Sequence, residues 1–354
     1  VSHASRWSRR SIAVAACLIL ATAGAAVAVA ETTSTQYAMT PTSAGAIDLT
    51  AVPLGDGYVS TTPKVGYVDS CITSFSSTGG AAVDGPWIDT TNKTWNETTK
   101  IAVNGAVAWP AASYKVTLSG TKRTIVFNDL PNHTTGVFPI ASSDPAHAYD
   151  GNPNHIAAQS VNWTLAATPK AAAKPSCTSG GPIGVLSDGA YLYNALDGEG
   201  RDAAAHEVLD SCAGHPDQSD SYHHHDIPSC ILDKTPNGKA TLVGYALDGY
   251  GIYVVKDASG NLPTNTSLDA CHGTTSVVPW NGKPTKIYHY VATYEYPYTV
   301  GCYHGTPISN GHGGGGGGGG SGGGGAGARS GPPAGGPPAP VTSTVTVTTT
   351  TTAG

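Results

Sequence analysis

The sequence predicts a mainly β fold, cross-linked by disulfides and carrying few short helices. Three observations predict it: short apolar runs separated by turn residues, an internal repeat in the second half, and an even set of cysteines beyond the leader. The expected architecture is a duplicated β unit packed about a pseudo-two-fold axis, with an N-terminal β-rich region against it. Of the 354 residues, the stretch 31–308 has the composition to build a core, roughly 280 residues and enough for one large or two ordinary domains.

Residues 1–30 read as a signal peptide. Arg6, Arg9 and Arg10 precede an apolar run from Ile12 to Ala30, which closes on the small-x-small pattern Ala28-Val29-Ala30. Ser8-Arg9-Arg10-Ser11-Ile12 also partly matches a twin-arginine export signal. Cleavage after Ala30 leaves no stable membrane span, so the expected location is secreted or associated with a bacterial cell envelope. The chain has 18 Lys and Arg against 24 Asp and Glu, and only 12% of it is charged, which argues against a nucleic-acid binder or a polybasic anchor.

Residues 31–68 read as a Thr/Ser-rich arm, and 69–175 as a β-rich N-terminal region. Within that region Lys100–Val103, Tyr114–Leu118 and Arg123–Phe127 have strand composition, and Asn104-Gly105 is a hairpin signal. Ala171–Pro175 looks like a short linker before the duplicated domain at 176–308. The Gly, Pro and Thr runs of 309–354 predict a disordered tail acting as a spacer.

The repeat is the strongest organisational signal. Ile183-Gly184-Val185-Leu186-Ser187-Asp188-Gly189 matches Val243-Gly244-Tyr245-Ala246-Leu247-Asp248-Gly249, and Leu209-Asp210-Ser211-Cys212 matches Leu268-Asp269-Ala270-Cys271. Tyr222-His223 matches Tyr288-His289. Two symmetric pairings of the cysteines follow. One joins Cys212 to Cys230 and Cys271 to Cys302, leaving Cys71 with Cys177, and is preferred; the other joins Cys212 to Cys271 and Cys230 to Cys302. The even count in an exported chain favours disulfides over free thiolates.

Histidine carries the candidate chemistry. In an extended strand His223 and His225 share a face, so two imidazoles can converge on one metal ion. His206, His289, His215 and His133 are candidates for the remaining ligands. A short helix is expected over Asp202–Asp210, with Asp202, His206 and Asp210 on one face and with Asp210 or Glu207 orienting a ring. With the thiols taken up in disulfides, imidazole ligation favours copper or zinc. Asp197–Gly200 and Asp257–Gly260 read as turns rather than calcium loops. No nucleotide-binding loop and no Gly-x-Ser-x-Gly elbow is present.

Tyr222-His223-His224-His225 with Ile227–Cys230, Leu242–Gly249 and Tyr296–Cys302 together resemble the YHYH domain family. The similarity extends to Pro131–Gly136 and Asn152–Asn154 and covers roughly residues 124–306. The resemblance implies a secreted bacterial protein and stresses Tyr222, His223 and His225, but it supplies no reaction. His224 stands where the signature implies Tyr; by strand alternation it faces away from His223 and His225, where it leaves their site intact or adds a ligand on the other face. The leading expectation is a secreted copper- or zinc-binding protein, with metal-dependent catalysis as a further step. The alternative is a non-catalytic cell-envelope module recognising glycan or protein through Trp and Tyr.

Overall fold

The computed structural model describes residues 46–75, 81 and 83–309. The expected signal peptide (1–30) and the expected tail from residue 310 onward lie outside the described residues. No helix among the described residues is long and apolar enough to cross a membrane.

Five two-residue strands open the chain: β1 (Val52–Pro53), β2 (Val59–Ser60), β3 (Val68–Asp69), β4 (Ile88–Asp89) and β5 (Thr94–Trp95). The first, fourth and fifth form a small sheet, and β2 pairs parallel with β3. From residue 46 this segment is no arm. Val52, Leu54, Val68, Trp87 and Trp95 are buried in a cluster with Ala204, Ala205 and Val208. Their apolar side chains draw the segment onto the fold in spite of its Thr and Ser content.

β6 (Tyr114–Ser119) and β7 (Lys122–Phe127) form a hairpin, and β8 (Val161–Ala166) adds to it as a third antiparallel strand. Buried and exposed residues alternate strictly along β8, the mark of a sheet with one face on the core. The hairpin expected at Asn104-Gly105 does not form. Lys100–Val103 makes only an isolated bridge from Val103 to Asp210, and the Asn104 backbone N–H donates to Asp144 instead. A local turn signal without two flanking ladders is overridden by these long-range partners.

The second half builds one eight-stranded sheet from β10 (Pro182–Leu186), β11 (Tyr191–Tyr193), β12 (Gly214–Pro216), β13 (Tyr222–His224), β14 (Ala240–Ala246), β15 (Gly251–Val255), β16 (Gly273–Trp280) and β17 (Lys283–Val291). Its order is β12-β13-β11-β10-β14-β15-β17-β16. The two halves of this order mirror each other: β11 runs parallel to β13 as β15 does to β17, and β12 and β16 pair antiparallel at the edges. At the central seam Val185 lies opposite Tyr245, flanked by Gly184 opposite Ala246 and Leu186 opposite Gly244. A Cβ on Gly184 would lie 2.7 Å from the Tyr245 carbonyl, and one on Gly244 would lie 2.6 Å from that of Val185, so the seam closes only on glycine.

The three-stranded sheet supplies Ile125, Phe127, Trp163 and Leu165 to the main core, which the large sheet completes with Ile183, Val185, Tyr191 and Ile252. Arg123 is fully buried; its guanidinium lies 4.4 Å from the Tyr245 ring and 4.2 Å from that of Trp280, and donates to Asn281 at 2.6 Å. Ala171–Pro175 is not a linker. It belongs to β9 (Ala171–Ser176), which pairs antiparallel with β18 (Tyr303–Gly305) and so fastens residues 303–305 to the middle of the chain. The helices are short: α1 (Ala203–His206) and α2 (Ser229–Leu232). Disulfides join Cys71 to Cys177, Cys212 to Cys230 and Cys271 to Cys302, the first of the two symmetric pairings.

Candidate metal centre

β13 and the residue after it place Tyr222, His223, His224 and His225 alternately on opposite faces. On one face the Nε2 atoms of His223 and His225 stand 3.1 Å apart. β12 brings His215 directly opposite His223 in the ladder, and the ligand atoms of the three rings lie within 4.8 Å of one another. Glu207, at the C-terminal end of α1, places Oε2 3.2 Å from His215 Nε2 and 3.1 Å from His225 Nε2. The Trp87 indole N–H donates to the Ala205 carbonyl at 2.8 Å and so anchors the turn that presents Glu207.

The far nitrogens set the protonation of the near ones. His223 Nδ1 lies 3.2 Å from the Ser221 carbonyl, and His225 Nδ1 lies 2.5 Å from that of Asn194. A carbonyl only accepts, so each Nδ1 carries its ring's proton, and in the neutral ring Nε2 presents a lone pair. With both rings neutral, two lone pairs meet across 3.1 Å in a buried site. His215 differs: the Asn152 amide NH2 lies 3.4 Å from its Nδ1 and can only donate there, so the Nε2 of the neutral ring carries the proton and faces Glu207 Oε2 at 3.2 Å, both atoms buried. Buried unsatisfied acceptors cost about 1–3 kcal/mol each. A metal ion at their focus would displace the His215 proton and be met by the lone pairs of the three rings and the carboxylate.

Burial alone would raise the Glu207 carboxyl, but the adjacent His215 and His225 outweigh it and hold Glu207 well below the usual carboxylate range. Burial opposes charge on His215 as well, yet Glu207, followed by Asp150, raises it. For His223 burial dominates, helped by the charges of His215 and His225, and drives it well below the ordinary imidazole value. His223 is thus held neutral, the form that ligates a metal.

On the opposite face of β13, His224 Nε2 lies 2.8 Å from Asp188 Oδ2, and His133 Nε2 lies 3.1 Å from the same oxygen. Tyr222 donates its hydroxyl to both oxygens of Asp210 at 2.9–3.1 Å. His133 thus stands with His224 and not with His215, His223 and His225. Cys212 and Cys230 also lie near His133, but they are bonded to each other and offer no thiolate.

His206 lies elsewhere. Its Nε2 is 3.0 Å from Asp56 and its Nδ1 is 3.0 Å from Asp84. Helix α1 is a single turn, so the common face expected for Asp202, His206 and Asp210 does not exist, and Glu207 rather than His206 turns toward the three rings. His289 is not brought to His223. Strands β11, β10, β14 and β15 separate β17 from β13, and His289 Nδ1 meets the Ile287 carbonyl at 3.0 Å. His272 donates or accepts at Thr293, and His304 stacks on Tyr288 with centroids 3.6 Å apart. Asp197 and Asp257 each cap their own turn, accepting the N–H groups of Glu199 and Arg201 and of Ser259 and Asn261.

The family described as "YHYH protein" has a model that matches residues 162–262, a stretch containing Asp188, Glu207, His215 and all of Tyr222–His225. The resemblance read from the sequence holds over that stretch, which is narrower than residues 124–306 and leaves His133 outside. Neither a curated protein nor a solved structure matches the chain.

Proposed function

We propose that this protein binds a transition-metal ion, copper or zinc, through His215, His223 and His225, beside the Glu207 carboxylate. One observation carries the reading: the 3.1 Å approach of two Nε2 atoms whose protons are committed to carbonyls on the far side of each ring. Two ligand atoms bound tetrahedrally to zinc at its usual Zn–N distance stand about 3.3 Å apart, close to that separation. Backbone carbonyls on Nδ1 are also the usual means of orienting metal-bound histidines. The rings of His215, His223 and His225 are 5%, 3% and 3% exposed, so the ion would be held inside the fold and not at its surface. Imidazole donors with thiols locked in disulfides suit copper and zinc.

The three disulfides are compatible with an extracytoplasmic setting, and we place the protein as secreted or attached to the cell envelope. The alternative, a glycan- or protein-binding module, draws little support from four of the tryptophans, although Tyr58 and Phe75 are exposed. Trp87, Trp95, Trp163 and Trp280 are each 4–6% exposed and unavailable to a partner.

The test is metal analysis of folded protein after equilibration with Zn²⁺ or Cu²⁺ and removal of the excess, for wild type and the double variant His223→Ala/His225→Ala. The variant is expected to lose one equivalent while keeping the near-ultraviolet circular dichroism of the fold. Equal metal content in both would overturn the reading.

A further inference from the structure

We infer that the opposite face of β13 carries a second metal site, formed by His133, Asp188 and His224, which takes a divalent first-row ion. This inference uses none of the residues proposed above and goes beyond that reading. The three groups present His133 Nε2, His224 Nε2 and Asp188 Oδ2 within 4.8 Å of one another. Two histidines and one carboxylate that leave further positions open form a known ligand set for divalent first-row metals.

The far nitrogens repeat the pattern of the first site. His224 Nδ1 lies 2.9 Å from the Ala213 carbonyl, and His133 Nδ1 lies 3.0 Å from that of Thr134. Each Nδ1 is therefore protonated, and without a metal each Nε2 meets Asp188 Oδ2 through a hydrogen bond or ion pair, so that a divalent ion would take the place of the proton between ring and carboxylate. The carboxylate is fixed from behind, where Asp188 Oδ1 accepts the Ala190 N–H at 3.1 Å. The loop bearing His133 is tied to the same turn, for the Asn132 N–H donates to the Asp188 carbonyl at 2.9 Å. Asp188 and His224 are fully buried and His133 is 12% exposed, so the site opens to solvent past His133.

The other half of the sheet shows the same position without a site. Ladder register puts Tyr290 of β17 where β13 has His224, and Asp248 where the first half has Asp188. There the Tyr290 hydroxyl donates to Asp248 Oδ2 at 2.5 Å, and the Gly305 N–H donates to the same oxygen at 2.8 Å. Neutral donors satisfy that carboxylate completely. Histidine at 224 replaces the hydroxyl, a poor metal ligand when neutral, with an imidazole whose Nε2 can exchange its proton for a metal ion.

This comparison also supplies a conservative variant. His224→Tyr re-creates the Tyr290–Asp248 pairing and is expected to fold, and His133→Gln alters only the more exposed member. Full-length protein, stripped with chelator and re-equilibrated with Zn²⁺, is expected to retain about two equivalents per chain. His224→Tyr and His133→Gln are each expected to retain one fewer than wild type, and so is His223→Ala/His225→Ala. Wild-type zinc content in both His224→Tyr and His133→Gln would overturn the second site and leave a His–Asp–His ion cluster that fastens the 131–137 loop. Wild-type content in His223→Ala/His225→Ala, with loss in the other two, would overturn the first reading and leave this one standing. Should His224→Tyr lose the near-ultraviolet signature of the fold, His133→Gln decides alone.

Discussion

The Tyr193 ring lies flat against His223, with centroids 3.9 Å apart and planes inclined by 21°. The Tyr193 hydroxyl donates to Asp217 at 2.7 Å, so the ring that backs the histidine is itself held at its far end. Tyr193→Ala should free His223 to rotate and weaken zinc affinity at the three-histidine site by about 10–100-fold. Tyr193→Phe keeps the stacked surface and should change it little. Competition against a chromophoric chelator measures both, and equal affinity in wild type and Tyr193→Ala would remove the positioning role.

Glu207 bears on the same centre through charge. Glu207→Gln preserves shape but removes the carboxylate lying 3.1–3.2 Å from His215 and His225. Zinc affinity is expected to fall about tenfold or more. The metal-free variant should be less stable than wild type at neutral pH, because the charge that His215 and His225 favour is gone. Chelator competition and chemical denaturation of the apo protein check the two halves of this expectation.

The Cys212–Cys230 bridge closes a loop in which His215, His223, His224 and His225 all lie, with a sequence separation of 18; Cys271–Cys302 spans 31 residues and encloses none of the residues of either proposed site. Replacing either pair by serine should cost about 3 kcal/mol through the freed unfolded chain. Only Cys212→Ser/Cys230→Ser should also weaken metal binding, which titration calorimetry of the two variants would reveal.

Asp202 gives a pH signature away from the rings. Burial raises its carboxyl to about 6, against the lowering effect of the Tyr298 hydroxyl at 2.7–2.8 Å and the Gly55 N–H at 2.8 Å. A carboxyl raised in the fold contributes stability that is complete below its unfolded value near 4 and is lost as pH climbs through about 6. The loss between pH 4 and 7 is on the order of 3 kcal/mol. Asp202→Asn should remove that decline, so its stability relative to wild type rises over this interval. Urea unfolding in chelator at several pH values would measure it, and parallel curves would refute it.

Much of this was legible from local pattern. The strands at 114–118 and 123–127 followed from their β-type composition between turn residues, and the symmetry of the repeat narrowed the cysteine pairings to two, of which the preferred one forms. The shared face of His223 and His225 followed from strand periodicity alone, and so did the separate face of His224. Their carboxylate partners were harder to read. Glu207 meets His225 only because a one-turn helix ends where Trp87, far away in sequence, holds it. Asp188 meets His133 and His224 through a turn and a loop that the sheet brings together. The helix expected at 202–210 mis-assigned His206, because spacing by four implies a common face only where the helix continues. His289 was misplaced for a topological reason. Matching strands sit at mirrored places in the sheet, so resemblance of two segments sets them far apart, about 24 Å at the usual strand spacing.

β13 is three residues long and carries a different set of rings on each side. Sliding it by one residue along its neighbours would exchange those sets, turning His224 toward Glu207 and sending its neighbours toward Asp188. So short a ladder resists sliding only weakly. The covalent tether between Cys212 and Cys230 limits the slack and acts as a vernier, fixing to within one residue which nitrogens each side of the strand offers to an incoming ion.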